Sequence, residues 1–350
     1  QSEKDIFNSR LLAILARKAT ARNFGNAGVV NNFYRDIVRT NQSKRLLNCP
    51  DADKSYLTVE DVTGIHSTKV ETIEEILAEL NANFIGMRSL KDKLGSISKK
   101  IHIERKRAQG RSNVISSVLP GQYNMRFVGN PGTGKTTIAR YMARVFCSLG
   151  IIENPKVKEY RGGDLKGSYL GQTKDKVNKI FESSEGCVLV IDEIYSLYDA
   201  SSNNTNSYGQ EAIDTLVGCI TDLRNATTIT IIAGYKNKMD TFLMANQGLM
   251  SRFGTEVEFP DYTDEECTQI LIKKLESISL TFPNTKDFTT RLNNMFAHLR
   301  YNAASKFGNA RTVEGVFNQI IENQAARLPF DISSSDERLQ SIIMEDIPQY

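Results

Sequence analysis

The chain has 350 residues, 40% of them hydrophobic and 24% charged, with a formal net charge of +3. That composition excludes a wholly disordered chain, and the lack of any apolar run of about 18 residues speaks against insertion into a membrane. A balance of +3 is too slight to point by itself to nucleic acid, so such a partner is not expected.

Gln1 is followed by acids and a lysine, not by the basic and apolar regions of a secretory signal. Five cysteines (Cys49, Cys147, Cys187, Cys219, Cys267) contain no C-x-x-C pair, which argues against a zinc site or a disulfide framework. Both features fit a cytoplasmic or other reducing intracellular compartment. His66, His102 and His298 stand apart from one another in the sequence and carry no assigned chemistry.

Two distant segments share a pattern, "NFGNAGVVNNFYRDIVRTNQSKRLL" from Asn23 and "KFGNARTVEGVFNQIIENQAARLP" from Lys306. Both have F-G-N-A followed by N-Q-x-x-R-L, and both run on to an apolar-Glu-Asp-apolar ending, "TVEDV" and "IMEDI". Such self-similarity implies a repeated unit. Residues 1–62 are then the closing piece of an earlier unit, and the chain is part of a tandem. Gly28 of the first copy stands where the second has Arg311.

From Thr72 to Arg111 the apolar spacing is helical, giving a helical lead-in over 63–119. Its end, "SKKIHIERKRAQGR" from Ser98, is basic; a solvated face over an apolar stripe and a contact to phosphate or acidic protein both fit it. Five short apolar runs follow, in "YNMRFVG", "VKEY", "CVLVIDE", "TTITIIAGY" and "TEVEFP", separated by helix-like segments. Strands alternating with helices predict an α/β core over 120–262, its parallel sheet covered on both faces. Helical patterns resume over 263–350.

Between the first strand and the next helix lies "GNPGTGKT", Gly129, Asn130, Pro131, Gly132, Thr133, Gly134, Lys135 and Thr136, followed by Thr137. This fits G-x-x-x-x-G-K-[ST], the loop whose glycines let backbone N–H groups turn toward phosphates at a helix start. Lys135 would reach the β- and γ-phosphates of ATP, and the Thr136 hydroxyl would ligate Mg²⁺. "CVLVIDE" would deliver Asp192 and Glu193 to the carboxyl edge of the sheet beside this loop. Asp192 would hold the hydrated Mg²⁺, and Glu193 would orient or deprotonate the attacking water, so hydrolysis is expected.

Several segments together resemble the AAA+ ATPases, more closely the CbbX/CfxX group with red-type Rubisco activase and the type VII secretion ATPase. They are "FVGNPGTGKTTIAR", "GSYLGQT", "GCVLVIDEIYSLY", "YGQEAIDTL", "IIAGYKNKMDTFL", "NQGLMSRFGTEVEFPDYTDEE" and "FGNARTVEGVF", in the family's order. The resemblance implies a P-loop core with a five-stranded parallel sheet and an α-helical lid over 263–350, and makes residues 1–62 the remnant of an upstream lid. By the same resemblance Arg252 matches the arginine finger that reaches a neighbouring subunit's γ-phosphate, and Arg311 the lid arginine that meets the phosphates from within. Tyr169 and Leu170 fall where the family places its central-pore loop; Tyr169 anchoring that loop in its own core is the alternative. The sensor-1 position is left among Tyr235, Lys236 and Asn237.

A homo-oligomeric, hexameric ring is thereby implied, hydrolysing ATP with Mg²⁺ to remodel or thread a protein client. Two other readings stay open at this point, a nucleic-acid motor or clamp loader and a nucleotide-gated assembly scaffold.

Overall fold

The computed structural model describes residues 34–39, 42–43, 57, 71–109, 120–167, 172–197, 207–222, 228–283, 285–304, 307–329 and 336–349. Tyr169, Leu170 and Gly28 lie outside the described residues.

Each of the five apolar runs forms a strand: β1 (Met125–Gly129), β2 (Val157–Arg161), β3 (Val188–Asp192), β4 (Ile229–Gly234) and β5 (Thr255–Phe259). All pairings are parallel, in the order β2-β3-β4-β1-β5. Parallel strands need a crossover between them, and the helices that supply it cover both faces. Alternation along the strands sorts side chains into two apolar layers. Met125, Phe127, Val190, Ile231 and Val257 face one, and Val128, Leu189, Ile191 and Ile232 face the other.

Chain order gives the helices α1 (Ile73–Asn83), α2 (Arg88–Gln109), α3 (Lys135–Ser148), α4 (Gln172–Ser183), α5 (Ser207–Thr221), α6 (Lys236–Ala245), α7 (Gln247–Met250), α8 (Asp264–Ser277), α9 (Lys286–Ala303) and α10 (Ala310–Arg327). Helix α3 backs the first layer, while α4, α5 and α6 cover the second. Helices α8, α9 and α10 form the unit after the sheet, with α8 lying against both others. Thr72 and Thr263 start α1 and α8 through capping boxes with Glu75 and Glu266. Each box satisfies two backbone donors at a helix start.

The lead-in is not one helix. It breaks at Phe84–Met87, where the Met87 N–H donates to Glu266 Oε1 at 3.2 Å and Lys273 Nζ donates to the Ala82 carbonyl at 2.7 Å. Both partners lie on α8, so the broken ends of α1 and α2 are closed by another part of the fold. In α2, Leu94, Ser98 and Ile101 are buried while Lys99 and Lys100 are exposed, which is a solvated basic face over an apolar stripe.

Tyr34–Val38 form a π-helical turn. A π-turn is the form in which a helix takes up one extra residue. Of the two similar segments, the first carries one residue more between its F-G-N-A and its N-Q, Phe24 to Asn41 against Phe307 to Asn323.

Candidate functional site

The loop after β1 is held by contacts that only glycine permits at two points. Gly132 has φ +75, and a β-carbon there would lie 2.2 Å from the Gly308 carbonyl oxygen. Gly134 has φ +89, and a β-carbon there would lie 2.7 Å from the Phe84 ring. Any other residue would meet backbone strain and a collision together. Lys135 opens α3, and its Nζ donates to the carbonyls of Gly129 and Asn130 at 2.9 and 2.8 Å. Thr133 is fully buried and donates its hydroxyl to the Asn130 carbonyl at 2.8 Å.

Strand β3 delivers the acidic pair. Its four residues Val188 to Ile191 are buried, so Asp192 emerges at the carboxyl edge and Glu193 is exposed beyond it. Glu193 takes the left-handed conformation, φ 51, and its N–H donates to Asp192 Oδ1 at 3.0 Å. A non-glycine residue there costs about 1 kcal/mol, a cost met here at the point where the acid leaves the sheet.

Loop and acidic pair line one cavity of about 290 Å³. Gly129, Pro131, Gly132, Gly134, Lys135, Thr136 and Thr137 form one side, and Asp192 and Glu193 another. Ala310 and Arg311 close it from α10. Asn130 and Thr133 do not line it; the Asn130 amide instead donates to the Asp261 carboxylate at 2.9 and 3.0 Å.

Burial pulls the Lys135 ammonium below its ordinary value, and Arg311 adds to this. Asp192, Glu193 and Asp261 oppose it by favouring the charged form. The site therefore concentrates two cations and two acids in one concave space, which suits a polyanion carrying a divalent cation.

Two tyrosines complete the wall, Tyr195 and Tyr235, their rings 6.3 Å apart. The Lys238 ammonium lies 5.1 and 5.4 Å from the two ring centroids. Burial, and then the Glu193 carboxylate, push the Tyr195 hydroxyl above its usual value. Among the three sensor-1 candidates, Tyr235 alone lines the cavity. Lys236 is turned to Glu258 at 3.0 Å.

Arg252 does not line the cavity. It lies in the turn between α7 and β5, donating to the Gly248 carbonyl and, at 3.3 Å, to Ser251 Oγ. Its Nε is buried without a partner.

Sequence reading missed Tyr195, Asp261 and Asn309. Asn309 is fully buried, and its amide donates to Asp261 Oδ1 at 2.8 Å. It was visible only as part of the shared F-G-N-A, and Tyr195 only as an aromatic two residues beyond the acidic pair.

Among the described residues no helix is long and apolar enough to cross a membrane. The family model "ATPase family associated with various cellular activities (AAA)" matches residues 125–261, and an AAA lid domain model matches 263–350. Stage V sporulation protein K of Bacillus subtilis (strain 168) is 30% identical over 332 residues, 95% of each chain. The chloroplastic ribulose bisphosphate carboxylase/oxygenase activase of Cyanidioschyzon merolae is 35% identical over 262 residues, 74% of this chain and 85% of that one. A solved structure, the FIGL-1 AAA domain in complex with ADP, superposes with a TM-score of 0.50 at 17% identity, over 80% of this chain and 89% of that chain, and shares the fold. With the sheet, the glycine loop and the helical lid in place, the chain belongs to the AAA+ ATPases, in their CbbX/CfxX group.

Proposed function

We propose that this ATPase works with Mg²⁺ as a subunit of a six-membered homo-oligomeric ring that remodels or threads a protein client through a central pore. The observation that supports it most is the convergence of the Gly129–Thr137 loop, the Asp192–Glu193 pair and the lid residue Arg311 on one cavity. Such a cavity can hold a triphosphate on three sides at once.

Backbone N–H groups of the loop and the start of α3 would cradle the phosphates, and Lys135 would exchange its two loop carbonyls for β- and γ-phosphate oxygens. Thr136 and, through water, Asp192 would hold Mg²⁺, which supplies neutralisation of charge on the transferred phosphoryl group. Glu193, exposed at the strand end, would take the proton of the attacking water. Arg311 would meet the phosphates from the lid, and Arg252 would meet those of a neighbouring subunit. Sharing one hydrolysis between two protomers makes activity depend on assembly.

A relative named as an activase of the enzyme ribulose bisphosphate carboxylase/oxygenase supports a protein client. Tyr169 and Leu170 would grip it, since an aromatic on a pore loop contacts extended peptide without sequence preference. The decisive test is ATP turnover with Mg²⁺. Lys135→Ala is expected to abolish nucleotide binding, and Glu193→Gln to keep binding and lose turnover. An undiminished rate in Glu193→Gln would remove that residue from the mechanism. Light scattering in ATP then reports ring size, and Tyr169→Ala should lose client remodelling while keeping ATP turnover.

A further inference from the structure

The phosphate loop, the turn after β5 and the first turn of α10 meet at one carboxylate. Asp261 accepts from the Asn130 amide through both oxygens, at 3.0 and 2.9 Å, and from the Asn309 amide at 2.8 Å. The Asn309 Nδ2 also reaches the Pro131 carbonyl at 3.3 Å, and its Oδ1 accepts the Tyr262 N–H at 3.0 Å. The next residue, Ala310, donates its N–H to the Gly132 carbonyl at 3.1 Å. Arg311 follows directly.

Asn309 is fitted to this place by its side-chain chemistry. It is fully buried with φ 52 and ψ −125, an uncommon backbone for any side chain that is held here by the bonds on its amide. Its amide both donates and accepts, so aspartate could not replace the donation and leucine could replace neither. Asp261 precedes α8, so a single side chain on the core-to-lid connection is bonded both to the loop and to the lid.

We propose that Asp261 and Asn309 form a latch that sets the first turn of the lid helix, and with it Arg311, against the phosphate loop, making Asn309 a positioning residue for the phosphate end of the nucleotide. The proposal rests on the reading of the cavity as a triphosphate site. Asn309 touches no ligand itself and acts through Arg311. Lid position and loop shape are then one variable, because the same carboxylate holds both.

The experiment uses the full chain. Binding of the non-hydrolysable analogue AMP-PNP with Mg²⁺ is compared in wild type, Asn309→Gly, Arg311→Ala and the double variant, and hydrogen exchange is followed at the Ala310 amide. Asn309→Gly can adopt the same positive-φ backbone while losing the amide, and is expected to weaken AMP-PNP about ten-fold, the scale of one charge-assisted hydrogen bond. In the Arg311→Ala background it should add less than about two-fold, because residues acting as one unit do not add. Ala310 should lose protection. Unchanged binding in Asn309→Gly, or losses that multiply in the double variant, would overturn the latch.

Asn309→Asp is the second variant, keeping the acceptor for Tyr262 while setting a second carboxylate against Asp261. It should behave as Asn309→Gly does. Loss of the folded state in both would make Asn309 structural only and also overturn the proposal. Failure of wild type to bind AMP-PNP would sink the triphosphate reading instead, and exchange at Ala310 without nucleotide would still judge the latch.

Discussion

The edge of the Phe84 ring fills the space beside Gly134, leaving 2.7 Å between two ring carbons and the place of a β-carbon. Phe84 also lies 6.3 Å from the Tyr262 ring, so the break in the lead-in and the turn after β5 together roof the last glycine of the loop after β1. A residue distant in sequence thus restricts what the loop can carry.

Gly134→Ala is accordingly expected to cost about 2 kcal/mol of stability, from a left-handed backbone and an overpacked contact, and to abolish ATP turnover. Gly315, inside α10 with nothing within 4 Å of its β position, is the contrast. Gly315→Ala should stabilise by about 0.5–1 kcal/mol. Urea unfolding of the two variants measures both signs, and a Gly134→Ala protein as stable as wild type would show that Phe84 yields.

Tyr235 and Lys236 are neighbours with opposite expectations. Tyr235→Ala removes part of the cavity wall and should lower ATP turnover at least about ten-fold. Lys236→Ala breaks an exposed, solvent-screened pair with Glu258, so turnover should stay within about two-fold of wild type. Steady-state kinetics in ATP distinguishes them.

For Arg252, complementation is the informative measurement. Arg252→Ala should bind ATP normally and hydrolyse almost none. Mixed with Glu193→Gln, whose own site is blocked but whose Arg252 is intact, it should regain part of the activity. No recovery across mixing ratios would mean that Arg252 does not serve a neighbour's site.

Arg144 of α3 holds the lead-in, donating to Glu71 and Glu79. The hydrogen bond from Arg144 is the largest cause that sets the Glu79 carboxyl below its ordinary 4.5. A depressed carboxylate contributes stability above its unfolded value and loses it as pH falls through the folded one. Arg144→Gln should therefore be less stable by about 1 kcal/mol at neutral pH, a modest figure because the glutamates are near half exposed. The gap to wild type should narrow progressively as pH falls below 4.5, the carboxyl's ordinary value. Unfolding curves at pH 7 and pH 3.5 test it.

Much of this arrangement was legible in advance. Short apolar runs ending in turn residues marked all five strands, because parallel strands buried on both faces read as unbroken hydrophobic runs. The loop and the acidic pair were legible because their chemistry needs fixed residue types at fixed spacing. The break at Phe84–Met87 was not, since Ile76, Leu80, Phe84, Met87, Leu90 and Leu94 keep three- and four-residue spacing straight through it. Only Gly86 hinted at the interruption, and the residues that close it, Glu266 and Lys273, are far along the chain. Asp261 was hidden for the same reason, because its partners Asn130 and Asn309 come together only when core and lid meet. Which of Tyr235, Lys236 and Asn237 lines the cavity depends on β4 ending at Gly234, which sets Tyr235 in the wall.

The way the lead-in joins the same apolar cluster as α3 and the lid settles where this globule can be cut. Excising everything before Pro120 would strip Ile76, Leu80, Phe84, Met87, Leu90, Leu94 and Ile101 from that cluster and leave a greasy seam open to water. A fragment trimmed to the two matched family segments is therefore expected to clump on expression, while one begun near Glu71 should stay dispersed.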